Sequence, residues 1–184
     1  ETLSGMAGVF VQKTNHGGGS PFVRGLTGNQ VLLLTDGIRL SNSTFRYGPN
    51  QYLATVAPHS IERVEVVRGA GSTLYGSDAI GGVVNVLTRG PSFAGSGTRA
   101  CARVLLRGMT GGMDRTLRAE AEAAAARFAL YAGTDARWFG DLVAGGDLGV
   151  EAPSAYDERS ADLKALVRAS ASTLLTVAYQ HVHQ

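Results

Sequence analysis

The stretch of sequence that decides the fold runs from residue 61 to residue 88 and reads IERVEVVRGAGSTLYGSDAIGGVVNVLT. It begins and ends with β-branched runs, residues 61–68 and 83–88, that are typical of strands. Between the two runs, Gly69 and Gly76 enclose a short segment that predicts a tight turn and a single helical turn with Ser72 as its N-cap. The pattern therefore predicts a strand, a one-turn helix and a second strand.

The first of these strands carries charges of both signs on both faces. In a regular strand, Glu62 and Arg68 share one face, and Arg63 and Glu65 share the other. Such a strand is not expected to cover an apolar core by itself. Two interpretations stay open: local ion pairs on a solvated surface, each worth under about 1 kcal/mol, or an element enclosed in a polar cavity and held by charge pairs with the surrounding wall.

Composition divides the chain into two parts. Residues 1–97 hold 17 of the 25 glycines and 6 alanines, whereas residues 98–184 hold 8 glycines and 19 alanines. Further strands are predicted at residues 9–12, 22–24 and 31–35, and a short helix at 51–55. The first part is therefore predicted to be α+β, a small mixed sheet with short helices.

The second part shows period-two alternation, which predicts antiparallel strands at residues 98–108, 115–123 and 160–169. Each has an apolar face and a charged face, so either a soluble sandwich or a membrane barrel fits, and residues 119–126 could alternatively form an alanine-rich helix. Connection lengths favour the barrel, because short links near 123–127 and 170–172 alternate with longer ones at 109–114 and 140–157.

Composition also excludes several classes of protein. With 44% hydrophobic and 17% charged residues, the chain is not intrinsically disordered. It has no apolar run of transmembrane-helix length and no signal peptide at its start, so we expect a mature, processed or truncated chain. The single cysteine, Cys101, excludes an internal disulfide, and a net charge of +2 with scattered basic residues does not indicate nucleic-acid binding.

No enzyme chemistry is predicted. The carboxylates of Asp36, Glu62 and Glu65 have nearby arginines that would keep them ionised, and no nucleophile elbow or phosphate loop is present. His181 and His183 share a strand face and could bind a metal, but an ordinary surface pair is the favoured interpretation. We therefore expect no catalytic residue, no cofactor and no metal site.

Three segments follow one another along the chain, at residues 20–39 (SPFVRGLTGNQVLLLTDGIR), 61–69 and 74–88. Together they resemble, in order and spacing, the plug domain of TonB-dependent outer-membrane receptors. The chain departs from the family at Ala70, where proline is usual, and at Thr35, where an apolar residue is common.

The resemblance implies a plug domain over residues 1–91, a linker over 92–97, and about five strands of a transmembrane β-barrel over 98–184. The family barrel has about 22 strands. The chain is accordingly expected to be an internal fragment that lacks the signal peptide, the TonB box and the C-terminal barrel.

The resemblance also implies a function. The expected protein is a receptor in the outer membrane of a Gram-negative cell, which takes up a scarce nutrient with energy from TonB. A ferric siderophore or a haem-type iron complex is the expected ligand, and cobalamin is the alternative within the family. A non-transport outer-membrane structural protein and a periplasmic enzyme with a β tail are the rival classes. The partners implied are TonB, the nutrient ligand and outer-membrane lipid, with no nucleic acid.

Site residues follow from the same resemblance. The charges expected to pack the plug against the barrel wall are Arg24, Glu62, Arg63, Glu65 and Arg68. A second set, Phe45, Arg46 and Tyr47, lies in a loop expected at the ligand-facing apex, together with the loop at residues 14–20. An aromatic ring beside an arginine would suit a planar or anionic iron chelate, although a solvent loop with ordinary packing aromatics explains the same residues.

Overall fold

The computed structural model describes residues 3, 5–13, 19–40, 48–49, 52–110, 114–145 and 149–184. The chain divides into two compact units, Glu1–Thr88 and Arg89–Gln184. In the described part of the chain, no helix has both the length and the apolar character needed to cross a membrane.

The first unit is built on a four-stranded mixed sheet with the strand order β4-β3-β6-β5. The inner strands β3 and β6 are parallel, and the other neighbours are antiparallel. A separate antiparallel hairpin, β1 with β2, precedes the sheet. The strands are β1 Val9–Lys13, β2 Gly19–Val23, β3 Val31–Thr35, β4 Ile38–Arg39, β5 Ile61–Arg68 and β6 Gly82–Thr88. The α+β architecture predicted from the sequence is confirmed.

Four short helices complete the part of this unit that the structure describes. Three are 3-10 helices, Gly28–Gln30, Tyr52–Thr55 and Pro58–Ser60, and the fourth is the one-turn α1, Ser72–Tyr75. The prediction of Ser72 as the N-cap of α1 is wrong by one residue. The carbonyl of Gly71 accepts the first helical hydrogen bonds, from the amides of Leu74 at 3.0 Å and Tyr75 at 2.9 Å.

The first unit has two clusters of buried apolar residues. One consists of Leu32, Leu34, Ala79 and Val83. The buried members of the other are Leu3, Val23, Val31, Leu33 and Val84. Val64 and Val66 of β5 pack against this cluster, which corrects the expectation that β5 does not cover an apolar core. The reason is that Val64 and Val66 occupy the middle of this face, while its charged residues, Glu62 and Arg68, lie toward the two ends of the strand.

The parallel pair β3 and β6 is tied together at its carboxyl end by Asp36. One carboxylate oxygen of Asp36 accepts the backbone amide of Thr88 at 2.9 Å, and the other accepts the Thr88 hydroxyl at 2.6 Å. Asp36 has a φ of 50°, a left-handed conformation in the turn that leads to β4. Asp and Asn are enriched among the residues that adopt it. Asp36 is thus a structural residue, and no catalytic role is needed to explain it.

The second unit is a five-stranded antiparallel sheet with the order β7-β8-β9-β12-β13. Its strands are β7 Arg99–Gly108, β8 Arg115–Ala124, β9 Phe128–Phe139, β12 Tyr156–Arg168 and β13 Leu174–His183, and a small hairpin of β10 Leu142–Val143 and β11 Val150–Glu151 lies between β9 and β12. The alternative of a helix at 119–126 is wrong, because β8 pairs along its whole length with β7 and β9. Ladder hydrogen bonds on both sides override the helix propensity of alanine.

The connections have the predicted asymmetry. At one end of the sheet, residues 125–127 join β8 to β9, and residues 169–173 join β12 to β13. At the other end, the links are residues 109–114 and 140–155. Short turns at one end and longer loops at the other are typical of outer-membrane barrels.

The polarity of this sheet is reversed relative to a soluble protein. Arg118 and Asp135 on one face are only 1% and 3% exposed, whereas Leu106 and Val104 on the other face are 78% and 65% exposed. A soluble sandwich would bury the apolar face instead. Of the two alternatives that the alternation left open, the structure therefore favours a barrel wall with its apolar face toward lipid.

We predict that Asp36→Ala loosens the end of β6. It removes both acceptors of Thr88 and places an unfavourable residue at a left-handed position, a combined loss of about 1–3 kcal/mol. Hydrogen exchange at the Thr88 amide in the intact protein should accelerate by about tenfold or more. Asp36→Asn is the matched control, because it tolerates the backbone conformation and keeps an acceptor oxygen, and it should retain most of the protection. If the Thr88 amide of Asp36→Ala exchanged as slowly as in the unsubstituted protein, this role of Asp36 would be contradicted.

Candidate functional site

Arg24 and Gly25 form the two central residues of a tight turn. Their φ angles are 54° and 80°, and Val23 and Leu26 on either side exchange backbone hydrogen bonds of 2.9 and 3.1 Å. Positive φ at both central positions defines a type I′ turn, which explains the glycine after the arginine. The turn places the Arg24 side chain at an exposed position.

The structure brings Arg24 and Arg68 to the same end of the first unit. The backbone amide of Arg24 donates to the carbonyl of Gly8 at 2.8 Å, and the Arg68 guanidinium donates to the carbonyl of Ala7 at 2.7 Å. A Cβ at Gly69 would lie 3.2 Å from Nη1 of Arg24, so the guanidinium passes close to the backbone there. Two of the predicted contact residues therefore share one surface.

The other three predicted contact residues, Glu62, Arg63 and Glu65, form a separate group at the start of β5. The Arg63 guanidinium lies 3.1 Å from Glu65 and 3.9 Å from Glu62, and each side chain is more than half exposed. The expectation that Glu62 faces away from Arg63 is corrected, because the bulge at this point lets one arginine approach both carboxylates. Pairs this exposed contribute under about 1 kcal/mol each.

Arg39, which the sequence analysis did not single out, holds the segment that follows α1. Its guanidinium donates to the side chains of Ser77 and Asp78, each at 3.3 Å, and to the carbonyls of Ser77 at 3.1 Å and Tyr75. A Cβ at Gly76 would lie 3.0 Å from this guanidinium. The sequence offers one signal for this contact. Arg39 is the last residue of the family-like segment 20–39, and residues 75–78 lie in the segment 74–88.

The predicted apex residues Phe45, Arg46 and Tyr47 lie outside the described residues, as do residues 14–18 of the other apex loop. Their role stays a prediction.

The inner face of the second unit contains a buried ion-pair network centred on Arg118. Its guanidinium lies 2.9 Å from Asp135 on β9 and 3.0 Å from Asp162 on β12. It also contacts Glu120 at 3.0 Å and donates to the hydroxyl of Tyr131 at 2.9 Å, and that hydroxyl donates to Glu120 at 2.9 Å. One arginine on β8 thereby connects three strands.

Gly133 makes the contact between Arg118 and Asp162 possible. It lies in the register between Glu120 on β8 and Asp162 on β12. A Cβ at Gly133 would lie 3.0 Å from Cζ of Arg118 and 2.8 Å from a carboxylate oxygen of Asp162. The absence of a side chain therefore opens a passage over β9, through which Arg118 reaches a carboxylate two strands away.

A ladder of cross-strand ion pairs extends the network along β7. Arg99 lies 2.6 Å from Glu122, and Arg103 lies 2.5 Å from Glu120. Further along the same strand, Arg107 lies 3.7 Å from Asp114. On β9 and β12, a further pair joins Arg137 to Glu158 at 2.9 Å. The alternating pattern predicted this face for β7, for β8 and, from residue 160 onward, for β12. It predicted neither the face of β9 nor the pairs.

The long connection between β9 and β12 is closed at its base by Asp141. One oxygen of its carboxylate accepts the backbone amides of Ser154 at 2.7 Å and Ala155 at 2.8 Å. The Ser154 hydroxyl in turn accepts the amide of Leu142 at 2.7 Å. The backbone hydrogen bond from Ser154 and then that from Ala155 lower the pKa of Asp141 below its ordinary value. The base of this connection is therefore organised around an ionised carboxylate.

Among the described residues, no group of three or more His, Cys, Asp or Glu side chains could hold a metal ion. His181 and His183 lie on the exposed face of β13, opposite Ala161 and Arg159 of β12. Nothing around them supplies a further metal ligand in the described part of the sheet.

The structure consists of a small α+β unit with exposed charges, followed by strands with an exposed apolar face. Known proteins share this organisation. A family model described as the TonB-dependent receptor plug domain matches residues 1–83. The chain carries the plug domain of the TonB-dependent outer-membrane receptors. Members of this family are receptors rather than enzymes, and this chain belongs to the outer membrane of Gram-negative bacteria.

Two curated relatives resemble the first half of this receptor chain. It is 41% identical over 90 residues to the vitamin B12 transporter BtuB of Vibrio vulnificus, covering 48% of the chain and 14% of the relative. It is 43% identical over 96 residues to an iron-regulated outer membrane virulence protein of Vibrio cholerae, with the same two coverages. The chain therefore matches 14% of the length of each relative.

Solved structures resemble both halves of the receptor chain. The copper transporter OprC has a TM-score of 0.75 at 21% identity, over 95% of this chain and 26% of that protein. The siderophore receptor PirA from Acinetobacter baumannii has a TM-score of 0.65 at 18% identity, over 95% of this chain and 27% of that protein. These likenesses confirm the predicted fold, a plug followed by antiparallel barrel strands.

We predict that Arg118→Gln strongly destabilises the barrel wall. It leaves the buried carboxylates of Asp135 and Asp162 without their shared cation, at a cost of about 3–5 kcal/mol. Arg99→Gln is the matched control, because the Arg99 side chain is 49% exposed and its pair contributes under about 1 kcal/mol. The measurement is the temperature at which the purified receptor loses its compact mobility on unboiled gels. Equal shifts for both variants would contradict the central role of Arg118.

A pH dependence follows from Asp141. A carboxyl group whose pKa is lower in the folded state stabilises the loop above its unfolded pKa of about 4, and the stabilisation is lost as the pH falls through the folded value. Pepsin cleavage within residues 140–155 of the intact receptor should therefore accelerate below about pH 4. Asp141→Asn, which cannot ionise, should show no such step beyond the pH profile of pepsin itself. A step of the same size in both proteins would exclude Asp141 as its source.

Proposed function

We propose that this chain is part of an active-transport receptor that takes up a scarce nutrient across the outer membrane with energy from TonB. The observation that carries the proposal is the reversed polarity of the second sheet, which exposes Leu106 and buries Arg118, in a chain that also carries a plug domain. A wall with a charged inner face and a plug are the two parts such a receptor needs. The proposed division is a plug at residues 1–91, a linker at 92–97 and barrel strands at 98–184.

The proposed ligand is a ferric siderophore or a haem-type iron complex. Support comes from Phe45, Arg46 and Tyr47, because a guanidinium flanked by aromatic rings suits a planar or anionic chelate. It also comes from the relative that is named as an iron-regulated outer membrane virulence protein. The pre-organised loop closed by Asp141 lies at the same end of the sheet as the other long connection, where a ligand would arrive from outside.

Cobalamin is the second candidate ligand. It is favoured by several relatives that are named as vitamin B12 transporters, at 41–42% identity over about half of the chain. The rival classes have less support, since neither a structural outer-membrane protein nor a periplasmic enzyme accounts for a plug domain.

For the plug we propose that the exposed charges Arg24, Glu62, Arg63, Glu65 and Arg68 contact charged residues of the barrel wall in the complete receptor. Their high exposure supports this proposal, since pairs in a wet lumen exchange for water at low cost. Such contacts would hold the plug in place and still release it when TonB pulls.

Uptake by cells that produce the complete receptor tests the ligand. With labelled ferric siderophores, haemin and cyanocobalamin, we expect TonB-dependent uptake of an iron complex. Arg46→Ala should weaken binding of that complex by about tenfold, the loss of one charge-assisted hydrogen bond, while Lys13→Ala on the β1 hairpin should not. Uptake of cyanocobalamin alone would establish the second candidate, and TonB-independent or absent uptake would overturn the transport proposal.

Exchanging the charges of Arg63 and Glu65 distinguishes two roles for these residues, pairing within β5 and contact with the barrel wall. We predict that Glu65→Arg lowers uptake and that the double variant Arg63→Glu/Glu65→Arg, which restores the 3.1 Å pair in reversed polarity, does not recover it. If the local pair were all that mattered, the double variant would behave like the parent. Initial uptake rates at equal receptor abundance decide between these outcomes.

A further inference from the structure

Two arginines on the outward face of the barrel strands have no carboxylate partner among the described residues. Arg115 on β8 and Arg159 on β12 are both exposed and lie on the same face as the apolar residues. Within the described part of the chain, neither takes part in an ion pair, although seven ion pairs form elsewhere in the same unit. The nearby carboxylate on this face, Asp157, is likewise joined to neither arginine. Both guanidinium groups lie beside an apolar surface and are therefore available to an anionic partner.

Two aromatic residues on β9 give the height of the apolar band. Phe128 and Trp138 point to the outward face, are 46% and 42% exposed, and lie ten residues apart. That spacing corresponds to about 33 Å along a strand, and a strand tilt of about 40° reduces it to a height of about 25 Å. This is the height of the apolar band of an outer-membrane barrel, whose two borders carry aromatic girdles. Trp138 therefore marks the membrane interface at the long-loop end.

The strand register places both arginines at this border. Arg115 is directly opposite Trp138, and Arg159 is directly opposite His183. Below them on the same strands the outward residues become apolar, as at Ala119 on β8. Long side chains at such a border extend their charged groups into the headgroup layer. The two guanidinium groups thus lie at the level of lipid headgroups, with the imidazole of His183 beside one of them.

We propose that Arg115 and Arg159, assisted by His183, form a binding site for the phosphate of a lipid headgroup in the leaflet on the long-loop side. A guanidinium fork matches phosphate oxygens in charge and geometry, and the imidazole supplies a further N–H donor. The indole of Trp138 next to Arg115 packs against the lipid at the same depth. The proposal depends on the barrel wall facing lipid, and it is independent of which nutrient the receptor transports.

Native mass spectrometry of the complete receptor in detergent, titrated with diphosphoryl lipid A, tests the site. Arg159→Gln should weaken lipid binding by about fivefold, the effect of one interfacial arginine, and Arg115→Gln/Arg159→Gln should weaken it further. The matched control is Arg107→Gln, an arginine at the same end of the sheet whose side chain lies on the inner face. Retention of heat-modifiable gel mobility shows that each variant still folds.

The expected result is selective loss of phosphorylated-lipid binding in the outward variants, with dephosphorylated lipid A binding weakly to all proteins. Parental affinity in Arg115→Gln/Arg159→Gln, or an equal loss in Arg107→Gln, would overturn the proposal. Equal binding of dephosphorylated lipid A would also overturn it, since the phosphate would then contribute nothing. Inorganic phosphate that binds as tightly as the lipid would show a free-anion site and refute the lipid assignment.

Discussion

The contact of Arg118 with carboxylates on three strands is the interaction on which the barrel wall depends. A sheet that turns one face to lipid gains no core from that face, so its inner side chains must stabilise each other. Arg118 does this by passing over Gly133 to reach Asp162. Since a buried guanidinium without its carboxylates would be costly, the strand register and the charge network enforce one another.

The two units use charge in opposite ways. In the wall, Arg118 and Asp135 are almost fully buried, and their pairing is correspondingly difficult to break. In the plug, Arg63 and Glu65 are more than half exposed, and their pairing costs little to exchange for water. The apolar contacts of Val64 and Val66 keep the β5 strand on its own core while its charges stay available. A rigid wall and a plug with exchangeable surface charges suit the proposed transport, in which the plug moves.

Much of the fold could be predicted from local patterns, and the failures have physical causes. The bulge that redirects Glu62 depends on pairing with a strand that lies more than twenty residues later, so a strand-period argument misplaced it. Gly71 replaces Ser72 as the cap of α1 because of backbone hydrogen bonds, one of which joins the Gly71 amide to the carbonyl of Ala79. The alanine run at 119–126 is ambiguous by composition, and only ladder pairing on both sides makes it a strand.

The sequence by itself determined the two-part organisation, the α+β plug, the apolar and charged faces of β7, β8 and most of β12, and the alternation of loop lengths, because these follow from residue periodicity and turn chemistry. That the charged face is buried and the apolar face exposed was decided by the tertiary structure. Only the tertiary structure decided which charges meet. Arg39 reaches residues 75–78, Asp36 holds Thr88, and Arg118 finds Asp162, all across long sequence separations. Periodicity assigns a side chain to a face, but a hydrogen-bond partner is chosen by register and by the space that a residue such as Gly133 leaves open.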